Sequence, residues 1–438
     1  MDEPLYTAEE MRAAEAGHDV EAMMQRAGEA TAGALMRRFP DARRIALHAG
    51  GGANGGDGRI AADVLRAQGR ELVDDRPDAV IDALLGTGLS GAPREETARV
   101  IEQINGAGVP VLAIDIPSGV NASTGEIAGA AVRADVTVTM HGRKVGLAVA
   151  PGRFHAGEVE VADIGLEPAE TEHRLVTAAI LGEVPRRSAR DNKYTAGHVL
   201  VVGGSRGMTG AAALASRAAL RADAGYVTIA APEESLPVLE TLVLEAVKRP
   251  LEQVFEAAGR ASALAVGPGL GRDDAARQLV RRLLAEVDVP AVVDADALFE
   301  LEPGTWPAPR VLTPHEGELG RLLGRDSKEI AAHRLASVRD AAERFGCVVV
   351  LKGEDSLVAA PGKGVLVCAL GLPSLATAGT GDVLTGIASA FLAKRMEPQR
   401  AAAAACAAQQ LASRAARQRY GLVASDVVEA LPEALARD

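Results

Sequence analysis

The chain has 438 residues, 48% of them hydrophobic, enough for more than one average domain with large buried cores. Its formal net charge of −12 argues against a nucleic-acid or anionic-membrane partner. Only three cysteines occur, with no CxxC pair, which speaks against a disulfide framework or a thiolate metal centre and fits a reducing cytoplasm.

In chain order, residues 8–38 carry helical apolar spacing. The acidic start MDEPLYTAEEM lacks the apolar core of a signal peptide. RIALHAG (44–50) predicts a buried strand entering a glycine loop, and GRIAADVLRAQG (58–69) a helix. DAVIDALLGTG (78–88) predicts strand and loop, ETARVIEQINGAG a helix, and PVLAIDIPSG (110–119) strand and loop again. ADVTVTM and GEVEVADIG predict two more strands. Polar LEPAETEHR (166–174) then opens a linker. A second alternating series runs from HVLVVGG (198–204) through YVTIAAP, ALAVGPG, PAVVDADAL, RVLTPHEGEL and CVVVLKG. The alanine-rich run 401–408 is too short to span a bilayer and reads as a buried helix. The fold class is α/β: two domains, each a mostly parallel sheet with helices on both faces, spanning 1–166 and 191–438 across a linker at 167–190.

Glycine loops follow these strands, at the edge where open parallel sheets bind ligands. They are GGGANGGDG (50–58), GTGL (86–89) and PSG (117–119) in the first half, and GGSRGMTG (203–210), GPGLG (267–271) and TAGTGD (377–382) in the second. Neither GxGxxG nor GxxxxGK[ST] fits them. In the last loop, Gly379 and Gly381 free backbone N–H groups to approach an anion, and the next helix adds its N-terminal donors and dipole. Asp382 would repel that anion unless it takes a proton from an attacking hydroxyl; a helix-capping role is the alternative. Lysines number seven among the 47 basic residues, so Lys352 at the end of VVVL stands out as a phosphate partner.

AGTGD ahead of an apolar helix resembles the anion hole and catalytic base of the ribokinase-like superfamily. GMTGAA, AVGPGLGRD, VVDADAL, LTPHEGEL, VVLKG, LATAGTGDVLTG and ASDVVEALPEAL are together similar to the ADP/ATP-dependent NAD(P)H-hydrate dehydratases. That resemblance implies Asp382 as base and Ala211, Gly269, His315 and Asp382 as hydrate contacts. It also implies Lys352, Gly353, Glu354, Asp355, Ser356 and Gly381 at the nucleotide, with Mg²⁺ held indirectly through Glu318 or a phosphate oxygen. MRAAEAG, MMQRAG, NGGDG, DALLGTGL and DIPSGVNASTGE are similar to the NAD(P)H-hydrate epimerase domain. This second resemblance implies Asn54, Gly55, Gly56, Asp57, Gly86, Thr87, Gly88, Leu89 and Asp115 at the hydrate. Asp115 would handle the ring proton, and Asn54, Asp82 and Ser118 would hold K⁺. Lys144 matches a family lysine with no derived role. Together the resemblances imply repair of hydrated NADH and NADPH by a homo-oligomer, a tetramer or larger. A small-molecule kinase joined to a non-catalytic N-terminal module is the alternative. Departures from the family pattern are Ala53, Asn121 and Leu372, a histidine missing from CAAQQLASRAA, and a βα unit missing after residue 69.

Overall fold

The computed structural model describes residues 2–418 and 420–436. It divides into two compact units. The N-unit comprises Pro4–Arg174 with Ala331–Leu335; the C-unit is built chiefly from Leu175–Ile330 and Ala336–Asp438. Among the described residues no helix is long and apolar enough to cross a membrane.

The N-unit sheet runs Glu71–Leu72, Arg44–Ala49, Ala79–Ala83, Val111–Ile114, Val136–Met140 and Glu158–Ala162, with every pairing parallel. Its central strands are buried along their whole length, which is why they read as unbroken apolar runs. The missing βα unit leaves a trace. Glu71–Leu72 survives as a two-residue edge strand, and the chain passes straight on to Ala79–Ala83 with no covering helix.

Two expectations for this unit need revision. Residues 8–38 form two helices, Ala8–Glu15 and Val20–Arg38, because Gly17 takes φ +83° and Asp19 caps the second helix through Glu21 N and Ala22 N. The second revision concerns NGGDG, which is not a loop: its helix spans Ala53–Ala67 and contains the whole motif. Those glycines serve close packing. A Cβ on Gly55 would lie 1.9 Å from the Gly50 carbonyl oxygen, and one on Gly56 2.1 Å from Met24 Cε.

In the C-unit, nine strands run Leu366–Cys368, Ser356–Ala359, Val348–Leu351, Arg310–Leu312, Ala291–Val293, Ala263–Val266, His198–Val202, Tyr226–Ala231 and Val247–Pro250. Ser356–Ala359 is antiparallel to both its neighbours; the other pairs are parallel. Alternate strand residues such as Val199, Val201, Ala263 and Val292 share one core with the helices Thr209–Arg221, Thr380–Ala393, Pro398–Ala415 and Ala424–Leu435. The alanine-rich run is buried inside that core, where small side chains let helices approach closely. Residues 175–184, read from the sequence as linker, carry Val176, Ile180, Leu181 and Val184 into the same core. The polar composition of 166–174 hid these apolar residues just beyond it.

Candidate active sites

The N-unit holds a cavity of about 730 Å³ lined by Asn54, Asp57, the Gly86–Leu89 turn and Asp115, together with Glu15 and Met24. Gly55 and Gly56 are not part of its wall. They sit beside it, and a Cβ on Gly55 would meet the Gly50 carbonyl oxygen and one on Gly56 the Met24 side chain.

Asp115 follows the strand Val111–Ile114 in a left-handed conformation, φ +65°, which an aspartate tolerates better than most residues. Its Oδ1 accepts from Lys144 Nζ at 2.5 Å, Met140 N at 3.1 Å and Thr139 Oγ1 at 3.2 Å. Lys144 is 1% exposed and also donates to Thr139 Oγ1 and the Met140 carbonyl. A buried ammonium so fully committed orients its carboxylate partner, which gives Lys144 the role its position in the sequence did not reveal.

Asp57 has one carboxylate oxygen buried without a hydrogen-bond partner. Burial, then the nearby charges of Asp115 and Glu15, push its carboxyl up to about 7. Glu15 is raised by burial and by Asp115; it belongs to the site but was missed, because nothing in a surface-like helix of Glu, Arg and Ala marks it.

Asp82 and Ser118 lie beneath the cavity, fully buried. Asp82 accepts from Ser118 Oγ at 2.6 Å, Ser118 N at 2.8 Å and Leu84 N at 3.2 Å. Burial still raises it to about 6 against those hydrogen bonds. Asn54 and Ser118 converge on Leu85: Asn54 Nδ2 donates to its carbonyl at 2.9 Å, and Leu85 N donates to Ser118 Oγ at 2.9 Å. Asn54 Oδ1 is left buried with no partner. Of the departures, Ala53 lines the cavity, whereas Asn121 makes a local turn by accepting from Ser123 N and Thr124 N.

The C-unit cavity, about 680 Å³, brings together His315, Lys352, Gly353, Glu354, Ser356, Gly381 and Asp382. Gly379 takes φ +87° and ends the loop, so the helix Thr380–Ala393 starts ahead of Asp382 and places that carboxylate in its first turn. Burial and the Asp294 charge raise Asp382 to about 7, against the pull of Lys352.

Lys352 does not point freely at solvent. Its Nζ donates to Asp294 Oδ1 at 2.7 Å and lies 3.7 Å from Glu318 Oε2. Burial works against the ammonium, but Asp294, Glu318 and Asp382 outweigh it and hold Lys352 above its usual range. Glu318 also closes a capping box with His315: Glu318 Oε2 accepts from His315 N, and His315 Nδ1 accepts from Gly317 N.

Ala211 and Gly269 do not line this cavity. They sit together, a Cβ on Gly269 falling 3.2 Å from Ala211 Cβ and 2.6 Å from the Met208 carbonyl. Asp355 is likewise buried away from the cavity wall. Leu372 lines the cavity, as do Gln409 and Gln410 from the helix that lacks the histidine. Gln410 spans Leu370 N and the Cys368 carbonyl, tying that helix to the loop ahead of the anion turn.

A mostly parallel α/β unit with a glycine turn, a first-turn aspartate and a strand-end lysine at one cavity defines the class: an α/β protein with an anion-binding turn beside a carboxylate at its sheet edge. Comparison with known proteins narrows this class. A family model described as NAD(P)H-hydrate dehydratase matches residues 199–433. One described as YjeF-related protein N-terminus matches 20–75 and 70–146, two segments that meet at the stub strand. Similar over most of its length is the bifunctional NAD(P)H-hydrate repair enzyme Nnr of Moorella thermoacetica, 37% identical over 94% of this chain and 92% of that protein. The Escherichia coli K12 enzyme of the same name is 33% identical over 93% and 88%. Among solved structures, the ADP/ATP-dependent NAD(P)H-hydrate dehydratase of Bacillus subtilis, co-crystallised with ATP and Mg²⁺, covers 59% of this chain and 96% of that one at 29% identity, with a TM-score of 0.54. The chain belongs to the family of bifunctional NAD(P)H-hydrate repair enzymes.

Proposed function

We propose that the C-unit restores NADH and NADPH from their S hydrates at the expense of ADP or ATP, and that the N-unit interconverts the R and S hydrates. One observation carries the first half: Asp382 sits in the first turn of Thr380–Ala393, behind the Gly379–Gly381 turn and in the same cavity as Lys352.

The hydrate is water added across the C5–C6 bond of the reduced ring, and hydroxide is a poor leaving group. Asp382 takes the proton of the hydrate hydroxyl as the hydroxyl oxygen attacks the terminal phosphorus of the nucleotide, whose bond to the bridging oxygen breaks so that AMP leaves from ADP, or ADP from ATP. The backbone at Gly381 and the helix N-terminus receive the phosphate. The C6–O bond then breaks with phosphate departing, and loss of the C5 proton regenerates the double bond. A base poised near 7 is suited to this step at neutral pH. Mg²⁺ would ride on the nucleotide phosphates and neutralise charge there. Lys352, Gly353, Glu354 and Ser356, which line the cavity, would hold the nucleotide.

In the N-unit, Asp115 exchanges a proton with the hydrate while C6 inverts, and Lys144 holds it in place. K⁺ fits the oxygen donors Asn54, Asp82 and Ser118: the unpartnered buried Asn54 Oδ1 is the donor such an ion would satisfy. The ion would order the Leu84–Leu85 backbone ahead of the Gly86–Leu89 turn.

The test is recovery of NADH from racemic hydrate with ADP and with ATP, followed by absorbance and by phosphate release. A stable phosphorylated product without NADH would favour the kinase reading instead. Incubating the full chain carrying Asp382→Asn with R hydrate and a separate S-specific dehydratase isolates the N-unit. No acceleration of R consumption would remove the epimerase assignment.

A further inference from the structure

Three separate elements of the C-unit meet at one buried carboxylate. Asp294 follows the strand Ala291–Val293 and is 1% exposed. Its Oδ1 accepts from Lys352 Nζ, at the end of the strand Val348–Leu351. Its Oδ2 accepts from Thr385 Oγ1 at 2.8 Å. Thr385 lies three residues beyond Asp382 on the helix Thr380–Ala393, so the two side chains leave the same side of that helix. Gly381 stands against the pair: a Cβ there would lie 3.4 Å from Lys352 Nζ and 3.5 Å from Asp294 Oδ2. The first glycine of GPGLG makes room for this residue. Gly267 takes φ +118°, and a Cβ on it would fall 1.9 Å from the Asp294 carbonyl oxygen.

A lysine ammonium on a four-carbon stem is flexible unless anchored. Here it is held between Asp294 and Glu318, immediately behind the turn that receives the phosphate. We infer that Asp294 is a positioning residue for phosphoryl transfer: it clamps Lys352 behind the Gly381 turn and sets the charge felt by Asp382. This rests on the reading of Asp382 as the base.

The charged groups that act on Asp382 are Asp294 and Asp296, which oppose its ionisation, and Lys352, which favours it. Asp296 is itself paired with Arg272 at 2.7 Å, and Glu318 acts through Lys352. His315 and Glu354 complete the titratable wall of the cavity. Asp294 and Lys352 therefore push the base in opposite directions.

The experiment is the pH dependence of kcat/KM for hydrate repair in wild type, Asp294→Asn, Lys352→Met and the double variant. In wild type the acid limb should fall near pH 7. In Asp294→Asn it should move down by about one unit, and in Lys352→Met up by about one unit. The double variant should return towards wild type. Thr385→Ala, which removes a hydrogen bond but no charge, should leave the limb in place. An unmoved limb in Asp294→Asn, or shifts of the same sign in both single variants, would overturn the inference. If Asp294→Asn does not fold, the double variant and Lys352→Met carry the same comparison. If wild type does not turn over the hydrate, the proposed function fails. The inference is then decided alone by the pH midpoint at which Asp382→Asn alters thermal stability: a midpoint unchanged by Asp294→Asn or Lys352→Met overturns it.

Discussion

Replacing Asp382 by Asn removes one proton acceptor with almost no change of shape. In the folded C-unit that carboxyl is raised from 3.8 to about 7, with burial the leading cause. The shift of about 3 units corresponds to roughly 4 kcal/mol at most, at about 1.36 kcal/mol per unit. Its sign follows from which state holds the proton more tightly. The folded protein does, so the acid contributes stability below about pH 4, and that contribution is lost as pH rises through about 7. Asn does not titrate. The melting temperature of Asp382→Asn relative to wild type should therefore climb between pH 5 and pH 8. At about 2–4 °C per kcal/mol for a unit of this size, even half the ceiling gives a change of about 4 °C or more. Repair activity should move the opposite way, falling about 10²- to 10⁴-fold, the usual worth of a general base. Differential scanning fluorimetry across pH and the NADH-recovery assay read the two effects on one preparation. A stability difference flat with pH would refute the buried-acid reasoning, and activity within a few-fold of wild type would refute the base.

Three further outcomes are expected. Lys144→Met should strand Asp115 without its buried partner and lower stability by about 3–5 kcal/mol, with Asp115→Asn/Lys144→Met recovering part of the loss; chemical denaturation measures both. Gly55→Ala should cost more than about 3 kcal/mol because its Cβ cannot coexist with the Gly50 carbonyl, whereas Gly51→Ala, which meets nothing within 4 Å, should be near neutral. Exchanging K⁺ for tetramethylammonium should lower both the melting temperature and the epimerisation rate, and Asn54→Ala should abolish that sensitivity; equal responses in wild type and variant would exclude Asn54 as a donor.

The class of the fold was legible from one feature, apolar runs of strand length alternating with helical spacing, each run ending in glycines. Parallel strands are buried on both faces, so their sequences need no partner to be recognised. TAGTGD was equally local: the turn, the helix N-terminus and the aspartate are contiguous in the chain, so free backbone donors and a carboxylate stand together there. NGGDG was legible as a glycine-rich segment after a strand but not as a helix. All five residues of the motif, Asn54 to Gly58, have poor helix propensity, and the close approach of the Gly50 carbonyl to Gly55 and of Ala83 Cβ to Gly58, reached through tertiary packing, explains why glycines stand there.

What tertiary structure alone decided is the charge on each site. Asp294 looks like any strand-end aspartate until Lys352, 58 residues away, and Thr385, 91 away, are folded onto its two oxygens. Lys144 acquires its role only when Asp115, 29 residues earlier, is brought within hydrogen-bond reach. The sequence by itself determined which side chains and backbone turns stand at the sheet edges, because that depends on local pattern. Which carboxylates keep their protons depends on burial and on neighbours distant in the chain, and those exist only once the two units have folded.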